Sequence, residues 1–375
     1  MPTPSILDDK LRELALFEPT TMPVLSLYLN AQPSQHGRDN FEPFLRREFT
    51  ARASTYPSRS PERQSFDRDV AKIKSWLETE LRPSSNGAAL FACSGANDFF
   101  EALQFDAPIH VNRLYVYHQP HLYDLAKLRD KYPPYAAVVA DTNAARIFVF
   151  GLARTLDTET ITNVKVRSRT QIHGWWLRRY ELHVDNYHLK HAKEIIEHLE
   201  RIVRDERIEH IILAGDELIL SILRQQLTPF LPSKIVDELK LDITAAEHEV
   251  LKATLAAMEE HEARTEPERA RRMIDEFRAG GLAAVGVHDV LAALANGQVD
   301  TIFVSAALDQ MHPGEEELHE AIAPAVKDLP PGTPMRITDA IVTRAHQTGA
   351  RVEFIEDPAL LADVGGVGAS LRYRL

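Results

Sequence analysis

An α/β protein of three domains is the fold class that this sequence predicts. Three observations carry that expectation. The chain has 375 residues and is 44% hydrophobic, enough for two or three domains of about 150 residues each. Short apolar runs bounded by turn residues alternate with stretches of helical periodicity. "KYPP" (Lys131 to Pro134) breaks either kind of element, and a new helical pattern starts near Ala245. The expected domains are therefore 1–132, 133–244 and 245–375.

In the first domain "MPVLSLYLN" (Met22 to Asn30) reads as a strand. Helical spacing follows at Phe44 to Ala53 and at Phe66 to Leu81, where Val70, Ile73 and Leu77 share a face. The Pro/Ser/Arg run "YPSRSPERQS" (Tyr56 to Ser65) reads as the loop between them. "NGAALFAC" is a turn and a strand, and "VNRLYVYHQ" is another strand. In the second domain "YAAVVAD" and "RIFVF" form a hairpin, with a weaker strand in "TETITNVKVR". A long helix is expected after Asp185, with Ala192, Ile195, Ile196, Leu199, Ile202 and Val203 on its buried face. "IEHIILAG" and "ELILSILRQQL" add a strand and a helix. Three strands, helix, strand, helix is the order of a ribonuclease H-like sheet. In the third domain one helix carries Val250, Leu251, Leu255 and Met258 inward. "TEPE" (Thr265 to Glu268) has the form of a capping box that starts a second helix, with Met273, Ile274 and Phe277 inward. "GGLAAVG", "HDVLAALANG" and "VDTIFVS" read as a parallel strand–helix–strand crossover. Ile337 to Gln347 is a helix stopped at Gly349, and "RVEFIE" and "GASLRYRL" close the chain as strands.

The formal net charge is −12, which argues against a protein that coats nucleic acid with its whole surface. Cys93 is the single cysteine, so an internal disulfide and a multi-cysteine metal site are excluded. One thiol in an apolar run fits a buried residue and a reducing cytoplasm. The N-terminus has no signal-peptide pattern, and no apolar run approaches the roughly 18 residues of a membrane span.

Against that acidic background stands "RSRTQIHGWWLRRY" (Arg167 to Tyr180), read as an exposed loop. Between Thr160 and Lys193 lie seven cations: Lys165, Arg167, Arg169, Arg178, Arg179, Lys190 and Lys193. They face two anions, Glu181 and Asp185. Arginine forks suit phosphate oxygens, and exposed indoles suit stacking on an unpaired base. Arg167, Arg169, His173, Gly174, Trp175, Trp176, Arg178, Arg179 and Lys190 are thus candidate RNA-binding residues. The alternative is a solvated basic loop whose indoles fold into the core. His188, His191 and His198 lie near one another on the long helix, without the carboxylate spacing of zinc hydrolases. Asp141 and Asp216 end strands and Glu194 lies on the intervening helix; on a ribonuclease H-like sheet such a trio could hold two metal ions. Aspartate at a strand end is equally a turn former. No Ser or Cys triad is visible, and the glycine clusters at Gly280 and Gly365 serve turns better than phosphates. No cofactor is expected.

Taken in order, these segments resemble the bacterial relatives of the archaeal and eukaryotic class-one release factors and Pelota. "GLAAVGVHDVLAALANGQVDTIFVS" and "GARVEFIED…GGVGASLRYRL" are similar to the last domain of that superfamily. "VVADTNAARIFVF", the arginine-rich run, the long helix and "IILAGDEL" are similar to its middle domain. The resemblance implies a ribonuclease H-like middle domain and an α-β-α layered last domain like ribosomal protein L7Ae. It also implies a cytoplasmic factor that mimics tRNA in the ribosomal A site, contacts rRNA and works with a translational GTPase, in ribosome rescue or hibernation. The family loop carries Gly-Gly-Gln, whose glutamine positions water against the peptidyl-tRNA ester. Here the place reads His173-Gly174-Trp175-Trp176-Leu177, and leucine offers no hydrogen bond. The stop-codon motif Asn-Ile-Lys-Ser is missing as well. The expected function is A-site binding without stop-codon decoding. The alternatives are a peptidyl-tRNA hydrolase with a divergent loop, for which His173 is the catalytic candidate, and a metal-dependent nuclease using Asp141, Glu194 and Asp216.

Overall fold

A computed structural model describes residues 4–32, 41–152, 154–162, 175–308 and 336–374. It is an α/β protein with three separate sheets, and the chain divides into two compact units. One is built on Pro133–Arg264. The other joins Asp8–Tyr132 to Thr265–Leu375.

The Pro133–Arg264 unit has a five-stranded sheet. Strands β5 (Tyr135–Ala140), β6 (Ala144–Gly151) and β7 (Arg154–Thr162) form an antiparallel meander. Helix α5 (Trp175–Asp205) returns the chain so that β8 (His210–Gly215) pairs parallel to β5. Helix α6 (Glu217–Gln226) then leads to β9 (Ile235–Leu239), parallel to β8. The order β7-β6-β5-β8-β9 is that of a ribonuclease H-like sheet. Alternation sets its two faces, because successive strand side chains point to opposite sides. Ala136, Val138 and Ala140 meet Ala192, Ile195, Leu199 and Leu223 of α5 and α6. Tyr135, Ala137 and Val139 meet Val250, Ala257 and Met258 on the other face. The six apolar positions predicted for α5 are all buried. The helix itself begins at Trp175, well before the expected start after Asp185. The apolar spacing on which that start was placed sets in only at Ala192, so the first turns carry no periodic signal.

In the other unit the first sheet has the order β3-β2-β1-β4, from β1 (Val24–Asn30), β2 (Gly87–Cys93), β3 (Phe99–Phe105) and β4 (Arg113–Tyr117). All its pairings are antiparallel. Helices α2 (Glu42–Ala53) and α3 (Pro61–Thr79) cover one face, packing Leu45, Phe49, Phe66 and Ile73 on Leu25, Leu27 and Leu29. Val70 and Leu77 pack against this cluster while remaining partly exposed. Ser60 caps α3 by accepting from Arg63 N at 3.1 Å, with Pro61 opening the helix. The expected loop is therefore shorter, since Pro61 to Ser65 are already helical. Helices α1 (Pro4–Ala15) and α4 (Tyr123–Lys131) were not expected from the sequence, nor were β3 and β9.

The last sheet has the order β10-β13-β11-β12, from β10 (Ala283–Val285), β11 (Val299–Ser305), β12 (Arg351–Ile355) and β13 (Val367–Leu371). Helix α8 (Val287–Ala295) makes the expected crossover, but antiparallel β13 inserts between the two strands it joins. Helix α9 (Ile337–Thr348) ends at left-handed Gly349, φ 68°, as expected. Further expectations fail in this domain. Helix α7 (Glu247–Arg278) is continuous, with Pro267 inside it, so "TEPE" starts no new helix. The boundary between the units falls between Arg264 and Thr265, inside this helix and beside that proline. Met273 and Ile274 are buried as expected, whereas Phe277 is 40% exposed.

Candidate nucleic-acid interface

Trp175, Trp176, Arg178 and Arg179 are the first, second, fourth and fifth residues of α5. Arg167, Arg169, His173 and Gly174 lie outside the described residues. The first turn of α5 has no acidic residue, and two arginines follow within the second. Cations at a helix start oppose its dipole and cost about 0.3–1 kcal/mol each, so helix stability does not account for this composition. Further along, Lys190 and Lys193 are exposed, one turn apart on the solvent side of the helix.

The histidines separate. His191 is fully buried among the α5 core positions and does not face solvent. His198 Nδ1 lies 2.7 Å from Glu159 Oε1, and Arg201 donates to both oxygens of that carboxylate at 2.8 Å. Partial burial pushes Glu159 up, but the hydrogen bonds from Arg201 and His198 outweigh it and hold the carboxyl below its usual range. This cluster ties β7 to α5.

Asp141 Oδ1 accepts from Asn143 N and Ala144 N, both at 2.7 Å, closing the β5–β6 turn. Asp216 is the N-cap of α6, accepting from Ile219 N at 2.9 Å. Both aspartates have local structural work, and Glu194 is half-buried on α5. Among the described residues no group of three His, Cys, Asp or Glu side chains is placed to hold a metal ion. Cys93 is buried within β2.

A second cationic surface lies on the α2–α3 hairpin. Arg63 is structural, paired with Asp67 at 2.9 Å and donating to the Ala53 carbonyl at 2.9 Å. Arg46, Arg52 and Arg59 are exposed. Arg59 holds a left-handed backbone, φ 71°, at the tip of the turn. Arg46 and Arg52 escaped the sequence reading because they lie on a helix interspersed with Glu42 and Glu48, which hides the sign of the exposed face.

The fold and these surfaces define an α/β protein whose ribonuclease H-like unit carries a cation-rich, indole-bearing run at the head of α5. Residues 120–259 match the model of bacterial archaeo-eukaryotic release factor family 10. A curated relative, the pelota homolog of Pyrococcus furiosus, is 24% identical over 205 residues, covering 53% of this chain and 52% of its own length. The chain thus spans about half the length of the curated relative it matches. The resemblance to the bacterial branch of the release factor and Pelota superfamily stands on these matches. Solved structures with some likeness include Saccharomyces cerevisiae Dom34, a translation termination-like factor interacting with Hbs1. It has a TM-score of 0.42 at 11% identity, over 77% of this chain and 79% of Dom34. A ribosome-bound archaeal Pelota with ABCE1 has a TM-score of 0.40 at 14% identity, over 98% and 94%. Among the described residues no helix is long and apolar enough to cross a membrane.

Proposed function

We propose that this protein is a cytoplasmic, tRNA-mimicking translation factor that occupies the ribosomal A site without reading a stop codon, in rescue of stalled ribosomes or protection of idle ones. One observation carries the reading. The release-factor family match over residues 120–259 contains the whole Arg167–Tyr180 run, the place where that superfamily carries its functional loop. Arg167, Arg169, Arg178 and Arg179 neutralise rRNA phosphates, and Trp175 or Trp176 stacks on a base. Leu177 removes the side chain that would position water, so binding rather than ester hydrolysis is the activity that remains. The exposed arginines of the α2–α3 hairpin support a second rRNA contact. A translational GTPase delivers or accompanies the factor.

Co-sedimentation of the full chain with ribosomes at two salt concentrations tests the proposal. The wild type is expected to pellet at low salt and to be released as salt rises. Arg178→Ala with Arg179→Ala should weaken binding about tenfold and reduce the slope of log affinity against log salt by roughly 1 to 2. A chain that never pellets at low salt, or a double variant that pellets like the wild type, overturns it.

A further inference from the structure

The unit that joins Asp8–Tyr132 to Thr265–Leu375 is held by a polar seam between its first and last sheets. Asp339 on α9 accepts from Leu122 N at 2.8 Å, and Asp130 on α4 accepts from Phe354 N of β12 at 2.8 Å. The Tyr123 ring meets the Phe354 ring edge-on at 5.1 Å. Helix α1 straps across this junction. Its Lys10 pairs with Glu101 of β3 at 3.2 Å. Its Asp8 takes two hydrogen bonds from Arg129 of α4, at 2.7 and 3.0 Å. Its Ala15 carbonyl accepts from Gln347 of α9 at 2.7 Å.

His346 precedes Gln347 on α9, next to the bond from α9 to α1. Its Nε2 is buried and has no hydrogen-bond partner among the described residues. The charged groups that act on the ring are Asp8 and Arg12 from α1 and Arg129 from α4. Asp8 is the single carboxylate among them, and Arg129 already occupies both its oxygens. We propose that the α1–α4–α9 seam is an acid-released clamp, in which a proton on His346 drives α9 away from α1 and α4. A proton on the ring would add a third cation beside two arginines, opposed by one carboxylate whose two oxygens each already accept from Arg129. Burial first, then Arg129 and Arg12, push the imidazole down to about 4, while Asp8 alone opposes them. The ring is thus harder to protonate in the closed seam than in water. Between pH 6.5 and 4 the open state binds the proton more tightly, so closure weakens as pH falls through that window and is complete above it. The second histidine of the seam, His121, is 1% exposed and sits between Asp339 of α9, Tyr28 of β1 and Tyr115 and Tyr117 of β4. Arg336 lies over the Tyr115 ring and Asp124 of α4 accepts from its hydroxyl.

Hydrogen exchange of the full chain at pH 7.5 and pH 5, corrected for intrinsic rates, tests the clamp. Opening of α1 and α9 should rise about thirtyfold at the lower pH. His346→Gln should remove that pH response, whatever its level of protection at pH 7.5. Unchanged protection in the wild type, or an equal response in H346Q, overturns the proposal. A second measurement needs no variant: C2-hydrogen exchange of the His346 ring, read by mass spectrometry, should titrate with a midpoint below 5, and a midpoint near 6.5 overturns it.

Discussion

Gly215→Ala is expected to destabilise the ribonuclease H-like unit by about 3 kcal/mol or more. Gly215 ends β8 opposite Ala140 of β5, with φ 154°. A Cβ built there falls 2.2 Å from the Ala140 carbonyl oxygen and 3.0 Å from Ile219 Cγ2. That oxygen belongs to the central strand, which is fixed by β6 on one side and β8 on the other. Backbone paired on both sides cannot step aside as a flexible side chain would, so the ends of the strand pair must separate. The next residue, Asp216, caps α6, and the distortion would pass into that cap. Calorimetry of the full chain should show the transition of this unit falling by roughly 10 °C. Gly280→Ala is the comparison. A Cβ there meets nothing and only the positive φ of 70° is at stake, so its cost should stay near 1 kcal/mol. Equal losses at the two glycines would refute the steric account.

Asp339→Ala should loosen the other unit by about 2–4 kcal/mol. Asp339 is 1% exposed. Removing its carboxylate leaves the buried Leu122 N–H without its acceptor. It also strips the group opposite His121 Nδ1, 3.4 Å from Asp339 Oδ2, where neither ring nitrogen has a hydrogen bond among the described residues. Asp339→Asn keeps an oxygen for Leu122 N and loses only the charge, so it should recover roughly half of the effect. Thermal unfolding read by circular dichroism distinguishes the two variants. An alanine variant as stable as the wild type would mean that the seam does not hold the sheets together.

The hairpin β5–β6 was legible because two apolar runs flank a short turn, a pattern that specifies its own pairing. The buried face of α5 was legible for the same kind of reason: six apolar residues repeat at helical spacing over three turns. The start of α5 was not, since Trp175 to Asp185 mixes aromatic, basic and acidic residues without period. Helix α4 is nine residues long, has no side-chain cap and buries Tyr123, Leu125, Ala126 and Leu128 against other elements. Its stability comes from packing rather than propensity, which a local window cannot register. Strand β3, "FFEALQF", is half-exposed along most of its length, and β9 lies at a sheet edge, so neither has the continuous apolar run of a central strand. "TEPE" misled because a capping box is a local signal, and it cannot tell a helix start from the interior of a longer helix.

The candidate interface was readable as composition alone: arginines and indoles gathered in an acidic chain. Asp141 and Asp216 were readable at strand ends either as metal-binding carboxylates or as turn formers, and the coordinates gave Asp141 to the β5–β6 turn and Asp216 to the cap of α6. The sequence by itself determined the element types, the α/β class and the chemistry of the Arg167–Tyr180 run. Tertiary structure alone decided that α7 runs through Pro267, that β13 enters between β10 and β11, and that Asp8 of α1 pairs with Arg129 of α4. The physical reason is range. Periodicity and turn chemistry act over a few residues, whereas the surroundings of a buried charge are set by segments hundreds of residues apart.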